Sequence, residues 1–265
     1  MRPFSRREVL VAGAAAVVVA ACGGDDGAAG PATTASPSGE ELAPVTSAIG
    51  GGGEGVSPGS TGSAGSTGLT AADFDGLGTC GLLPEQTAGP FPLDEQFVRR
   101  DITEGLPGHP LRIGFRVVDA ECAPVPGATV EVWHTDATGD YSAFADGGGG
   151  KDEAEGTTFL RGTQVAGEDG IVAFTSVYPG WYPGRAVHVH LRVHRDDEVV
   201  LTSQVYFDEV YTEEVFATGA YAEFGPPDTT WATDGIAGDP AADGTALSLS
   251  AEGPGTLALL NLGIP

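Results

Sequence analysis

Residues 181–190 read WYPGRAVHVH, and the chain continues to residue 194 as LRVH. From residue 186 onward apolar and polar side chains alternate, which predicts a β-strand because successive side chains of a strand point to opposite faces. Valine and leucine occupy one face and are expected to fill a core. His188 and His190 lie on the other face, about 7 Å apart along the strand. At that spacing both imidazoles can bind one metal ion.

Two tyrosines, Tyr182 just before this strand and Tyr141 upstream, are candidates to complete the site. A tyrosine within bonding distance of a trivalent cation binds as a phenolate, although its free pKa is about 10. Two phenolates select a hard, strongly Lewis-acidic ion such as Fe(III), which indicates an oxygen-using iron enzyme. A copper ion held by His188, His190 and His134 is an alternative.

The rest of the chain predicts an all-β fold. Short strand-like segments separated by glycine and proline turns occupy residues 111–118, 128–135, 171–177, 199–207, 245–250 and 257–262. One short helix is expected at residues 209–217. Several short strands at this spacing are typical of a two-sheet β-sandwich.

The N-terminal part predicts export. Residues 1–21 place a pair of arginines before an apolar run and resemble a twin-arginine signal peptide. Small residues before Cys22 resemble a lipobox, so Cys22 is expected to carry lipid and to anchor the protein to the outer face of the cell membrane. An ordinary signal peptide that contains Cys22 is the alternative. Residues 22–72, rich in Gly, Ser, Thr and Ala, are expected to form a flexible tether, and residues 73–265 the folded domain.

Charge and cysteine content limit the partners. The 265-residue chain has a formal net charge of -25 at pH 7. So acidic a chain repels nucleic acid and anionic lipid, so neither is expected as a partner, and the membrane is contacted only through Cys22. Of the three cysteines, Cys80 and Cys122 then remain to form a disulfide, which persists outside the cytoplasm. A metal-ligand role for these two cysteines is the alternative.

Several motifs, taken in order, resemble the intradiol ring-cleavage dioxygenases, non-haem Fe(III) enzymes that open catechols between the two hydroxyl-bearing carbons. The resemblance runs from about residue 80 to about residue 207. The motifs are PEQTAGPF at 84–91, RRDI at 99–102, PGA at 126–128, VWH at 132–134, GDY at 139–141, YPGR at 182–185 and HVH at 188–190. The interval between Tyr182 and His188 is shorter than in the aromatic-degrading members, which indicates a divergent, compact branch.

The resemblance implies an iron site and a catalytic arginine. The residues that match the family's ligands are Tyr141, Tyr182, His188 and His190. Arg185 matches the arginine that leans over the bound catecholate and would stabilise negative charge on the ring as oxygen adds.

Further roles follow from the same resemblance. Tyr182 would also leave the metal and accept a substrate proton as a general base. Gln204 falls where the family places a glutamine near the substrate ring, and Phe91 stands where many members have a pocket tyrosine. Trp181 is expected to line the pocket because it directly precedes Tyr182. Tyr178 is the competing candidate for the second tyrosine ligand.

The function implied is that of an exported Fe(III) dioxygenase. It would cleave a catechol-type substrate with O2 to a cis,cis-muconate-type product. Family members often form dimers, so a homodimer is one option that the sequence itself leaves open. A non-catalytic surface lipoprotein that uses the sandwich as a binding module is the alternative. The complete set of two tyrosines, two histidines and Arg185 argues against that alternative, because a binding module needs no such set.

Overall fold

The structure describes the chain from residue 67 onward, with short gaps. The computed structural model describes residues 67–78, 80–145, 147–148 and 154–265, so the predicted signal peptide, Cys22 and the tether up to residue 66 lie outside it. The boundary at residue 73 stays a prediction; Leu69, within the predicted tether, is buried and packs with Phe74 against Leu259. A single leucine among small polar residues forms no pattern, so this contact could not be read from the sequence.

The described residues form eight strands and two short α-helices. The strands are β1 (Pro110–Val118), β2 (Thr129–Trp133), β3 (Arg161–Val165), β4 (Ile171–Val177), β5 (His188–Arg195), β6 (Glu198–Tyr206), β7 (Ser248–Glu252) and β8 (Gly255–Gly263). The helices are α1 (Glu209–Phe216) and α2 (Pro240–Asp243), with single 3-10 turns at Ala71–Phe74 and Gly219–Tyr221. Within this part of the chain no helix is long and apolar enough to span a membrane.

The strands form two four-stranded sheets, in the orders β4-β1-β8-β7 and β3-β2-β5-β6. Neighbours are antiparallel except β1 and β8, which run parallel. Apolar side chains from both sheets form one buried core between them. The predicted two-sheet β-sandwich is therefore confirmed.

Two elements were not predicted. Strand β3 reads RGTQV and has no apolar alternation, because its first three residues are buried whatever their polarity. Gly162 in β3 lies so close to Ile102 that a larger side chain would collide with it. Helix α2 is four residues long, with Asp239 accepting a hydrogen bond from Ala242 N–H as its N-cap and Pro240 in its first turn.

The outer face of the second sheet is covered by residues 84–100, which we call the covering segment. Its Gln86 N–H donates to Thr202 O on β6, and its Arg99 N–H donates to Thr163 O on β3, so it spans the sheet from edge to edge. His188 and His190 point to this outer face, since the alternating Val189 belongs to the core. The covering segment thus buries side chains that point away from the sandwich core.

The predicted disulfide between Cys80 and Cys122 is present. It links the chain just before the covering segment to the turn between β1 and β2. The two cysteines are 42 residues apart in the sequence. The bond therefore restricts a long loop of the unfolded chain.

Replacing both cysteines, Cys80→Ser with Cys122→Ser, is expected to lower the free energy of unfolding by about 2–5 kcal/mol, because the unfolded chain regains loop entropy. Denaturant unfolding measures the difference. Wild-type protein reduced with dithiothreitol is the matched control and should unfold like the variant. Equal unfolding midpoints for the oxidised wild type and the variant would contradict the expectation.

Candidate metal centre

All four predicted ligand side chains converge on one point. His188 Nε2 lies 3.1 Å from His190 Nε2 and 3.1 Å from Tyr141 Oη, and 3.4 Å from Tyr182 Oη. The two histidines lie at the start of β5, whereas Tyr141 follows β2 and Tyr182 precedes β5. The tertiary fold therefore brings together residues nearly fifty positions apart in the chain, 47 in the case of Tyr141 and His188.

Two glycines let the tyrosine-bearing loops approach each other. Gly139 has a φ of 87°, which favours glycine, and a side chain there would collide with the Trp181 carbonyl. Gly180 N–H donates to Asp136 O at 2.7 Å, and a side chain on Gly180 would also meet this backbone. The loops before Tyr141 and Tyr182 thus pack backbone against backbone.

The imidazoles are oriented in two different ways. His188 Nδ1 donates to Ala186 O at 2.6 Å, which leaves the Nε2 lone pair facing the cluster. His190 Nδ1 is buried and has no hydrogen-bond partner among the described residues. Its ring instead stacks on Trp133, with centroids 5.0 Å apart and planes 1° from parallel. On the covering segment, a Cβ at Gly89 would lie only 3.3 Å from His190 Cε1, so the ring is held by packing.

Both imidazoles are neutral in this environment. Burial, with a smaller contribution from Arg185, lowers the pKa of His188 to about 3. Burial and the neighbouring His188 place the pKa of His190 well below its usual value. A neutral imidazole keeps a lone pair on one ring nitrogen, so the neutral form is the one that binds metal.

The phenols need a nearby positive charge to ionise. Burial raises the pKa of Tyr141 well above its usual value and also raises that of Tyr182, although Arg185 opposes the second shift. A metal cation supplies that charge. Donor atoms bound to one ion at about 2.1 Å, at angles of about 90–110°, lie roughly 3.0–3.4 Å apart. The observed separations of 3.1–3.4 Å fit this spacing.

The fitting donor set is unusual in containing two tyrosines. In the described ranges, no group of three or more His, Cys, Asp or Glu side chains is arranged to hold a metal ion. The cluster of two tyrosines and two histidines is therefore the candidate metal centre.

Arg185 lies beside this centre and is held on several sides. Its Nη1 donates to Tyr182 Oη at 3.3 Å, and its Nη2 donates to Gln204 Oε1. Gln204 Nε2 in turn donates to Thr87 O of the covering segment at 2.9 Å. Arg185 Nε donates to the carboxylate of Asp234 at 3.1 Å. Asp234 was not predicted, because an isolated aspartate in a loop carries no periodic or motif signal.

Aromatic side chains form one wall of the centre. Phe91 stacks on Tyr141, with ring centroids 4.7 Å apart, and Phe144 meets Phe91 edge-on at 5.2 Å. Phe144 was not predicted. Trp181 donates its indole N–H to Gly225 O and packs against the core, which gives it a structural contact. Its role at the substrate stays a prediction.

Two competing candidates have other partners. Both ring nitrogens of His134 form hydrogen bonds, Nδ1 with Thr135 O at 2.8 Å and Nε2 with Ser176 Oγ at 2.7 Å. This removes the third ligand of the copper alternative. Tyr178 forms a hydrogen bond with Thr212 Oγ1, and its ring packs at a tilt against Phe207 in the core.

Comparison with known proteins places this chain in a family. A family model described as Dioxygenase matches residues 84–218, about half of the chain. An intradiol ring-cleavage dioxygenase from Tetranychus urticae has a similar structure, with 32% identity and a TM-score of 0.63. The similarity covers 70% of this chain and 94% of that one.

Similar curated proteins act on catechols according to their names. The chlorocatechol 1,2-dioxygenase of Rhodococcus opacus is 29% identical over 121 residues, 38% of this chain and 45% of that protein. The catechol 1,2-dioxygenase of Pseudomonas sp. (strain EST1001) is 28% identical over 173 residues, 56% of this chain and 55% of that protein. The chain thus spans about half the length of these curated relatives.

Replacing Trp133 with leucine is expected to weaken iron binding roughly 3- to 10-fold, because an aromatic stack of about 0.5–1.5 kcal/mol no longer orients His190. Competition with an iron chelator measures the affinity. Trp133→Phe keeps an aromatic face and should retain most of the affinity, and melting temperatures check that both variants fold. Unchanged affinity in a folded Trp133→Leu protein would show that stacking does not orient this ligand.

Proposed function

The chain belongs to the intradiol ring-cleavage dioxygenase family, and on that premise we propose that it opens a catechol-type ring with O2. Cleavage would fall between the two hydroxyl-bearing carbons and give a cis,cis-muconate-type diacid. The observation that carries this proposal is that two phenol oxygens and the His190 Nε2 atom all lie 3.1–3.4 Å from His188 Nε2, with Arg185 beside them.

The proposed cofactor is non-haem iron, held as Fe(III) by Tyr141, Tyr182, His188 and His190. Two phenolates offset much of the charge of a trivalent ion, which favours the ferric over the ferrous state. When bound, Fe(III) would act as a Lewis acid toward the catechol oxygens and make the ring reactive toward O2.

Tyr182 is the better candidate for the general base. Tyr141 is fully buried, whereas Tyr182 is half-buried and its Oη already accepts a hydrogen bond from Arg185 Nη1. Tyr182 Oη would take the proton of a catechol hydroxyl, and the product phenol could move without opening the core. Tyr141, stacked under Phe91, would stay in place.

Arg185 would stabilise negative charge on the substrate ring. The guanidinium is permanently charged and is held in place before substrate arrives, so little reorganisation is needed when charge develops. Gln204 would act by holding Arg185 Nη2 and tying it to the covering segment. Phe91 and Phe144 would pack against a flat aromatic substrate and exclude water from it.

Iron-loaded protein is expected to show a visible phenolate-to-iron charge-transfer band that shifts when catechol is added without O2. Tyr141→Phe and Tyr182→Phe should each weaken or remove the band, because each deletes one phenolate. Tyr178→Phe, which alters a tyrosine that is as buried as Tyr141 but lies outside the site, should keep it. Admission of ¹⁸O2 should place both labelled atoms in the ring-opened product, as measured by mass spectrometry.

A fully iron-loaded wild-type protein without this band would overturn the tyrosinate assignment. In that case the alternative, a binding module without catalysis, would become the better description. If the band is present but no catechol tested gives a ring-opened product, the metal site stands and the proposed activity is rejected.

We further propose that the protein is exported and membrane-anchored, on the sequence features of residues 1–22 alone. Lipid on Cys22 would hold the protein at the outer face of the membrane. Cys22→Ser is expected to move the protein from the membrane fraction to the soluble exported fraction in its native host, as judged by immunoblotting. Membrane association that survives this substitution would reject lipid anchoring through Cys22.

A further inference from the structure

The three nitrogens of the Arg185 guanidinium face different partners. Its Nε donates to both Asp234 oxygens, at 3.1 and 3.3 Å, and its Nη2 donates to Gln204 Oε1. The remaining nitrogen, Nη1, lies 3.3 Å from Tyr182 Oη and 3.5 Å from His188 Nε2. Two partners on opposite sides therefore aim the third nitrogen at the metal centre.

Asp234 is itself fixed by backbone groups. Its Oδ1 accepts from Ile236 N–H at 2.8 Å and from Ala237 N–H at 3.3 Å. Its Oδ2 accepts from Ala186 N–H at 2.8 Å, next to Arg185 itself. The Asp234 side chain has no exposed surface, compared with 13% for Arg185. This pair is therefore a buried, charge-assisted contact rather than a mobile surface ion pair.

Arg185 needs a counterion because its positive charge is partly buried next to the metal centre, and Asp234 is that counterion. A guanidinium next to a multivalent cation is repelled by it, and a partly buried charge without a counterion is unstable. Asp234 supplies the counter-charge at the far edge of the guanidinium, so Nη1 keeps its direction with the metal bound. Gln204 is neutral and cannot supply that charge.

We propose that Asp234 is a positioning residue for the reaction, acting through Arg185. This inference rests on the proposed function for its effect on the rate, although its effect on the arginine is independent of the metal. Asp234 lies outside residues 84–218, the part that matches the family model. The segment between α1 and α2 would thus contribute to a site whose other residues lie within the matched part.

Asp234→Asn is the central variant, because it keeps the shape of the side chain and removes its charge. Its NH2 group also cannot accept from the backbone N–H groups that Asp234 binds. Asp228→Asn is the matched control: Asp228 lies in the same segment, is exposed, and accepts from Gly184 N–H and Thr229 Oγ1 but does not contact Arg185. If Asp234→Asn does not fold, Asp234→Ser replaces it.

The rate measurement is a double-mutant cycle on the full iron-loaded chain, with catechol as substrate. Asp234→Asn is expected to lower kcat roughly 10- to 100-fold with KM changed less than about threefold, since it acts on transition-state charge. In an Arg185→Met background the same substitution should change kcat less than about twofold, because its route of action is gone. Asp228→Asn should match the wild type. An equal loss in both backgrounds would show a merely structural role and overturn the inference.

A second measurement does not depend on iron or turnover. In the metal-free protein, the Arg185 Nε–H should give a slowly exchanging NMR signal that exchanges much faster in Asp234→Asn and is unchanged in Asp228→Asn. If the wild type turns over catechol but Asp234→Asn does so equally well, the inference fails and the proposed function stands. If the wild type turns over no catechol, the proposed function fails together with the effect of Asp234 on the rate. The exchange rate then decides whether Asp234 fixes Arg185.

Discussion

The arrangement of the site depends on two neutral, buried imidazoles whose Nε2 atoms lie 3.1 Å apart. Burial removes water, so the lone pairs of His188 and His190 must find another partner. Two phenol oxygens face the same point, and they too need a positive charge to ionise in a dry environment. A single cation would satisfy all four donors at once, as the proposed metal centre requires. The shared need for a positive charge explains why two imidazoles and two phenols lie together in a buried site.

The fold meets this requirement on the outside of the sandwich rather than within it. The inner faces of both sheets are filled mainly with apolar side chains, whereas His188 and His190 point to the outer face of the second sheet. The covering segment closes over the outer face of the second sheet and brings Gly89 against His190 and Phe91 against Tyr141. The same segment accepts a hydrogen bond from Gln204, which also holds Arg185. The covering segment therefore both buries the candidate ligands and helps to align Arg185.

The fold could be predicted wherever one face of a strand is polar and the other is apolar. Strand β5 shows this alternation clearly, and the predicted segments at 111–118 and 171–177 match β1 and β4 closely. Strand β3 could not be predicted, because the covering segment and the core bury it on both sides and leave polar residues such as Arg161 inside. The burial of Leu69 likewise could not be predicted, because it depends on the sheet against which Leu69 packs.

Local periodicity was enough to predict the strand that carries His188 and His190, and the cysteine count, once Cys22 is set aside, was enough to pair Cys80 with Cys122. The full set of four ligand candidates came from the H-x-H spacing together with the family resemblance. The contacts that support the site could be read only from the fold: Trp133 packs against His190, Phe144 against Phe91, and Asp234 against Arg185. Such contacts join residues far apart in sequence, and their energies depend on burial and distance. A linear pattern contains neither quantity.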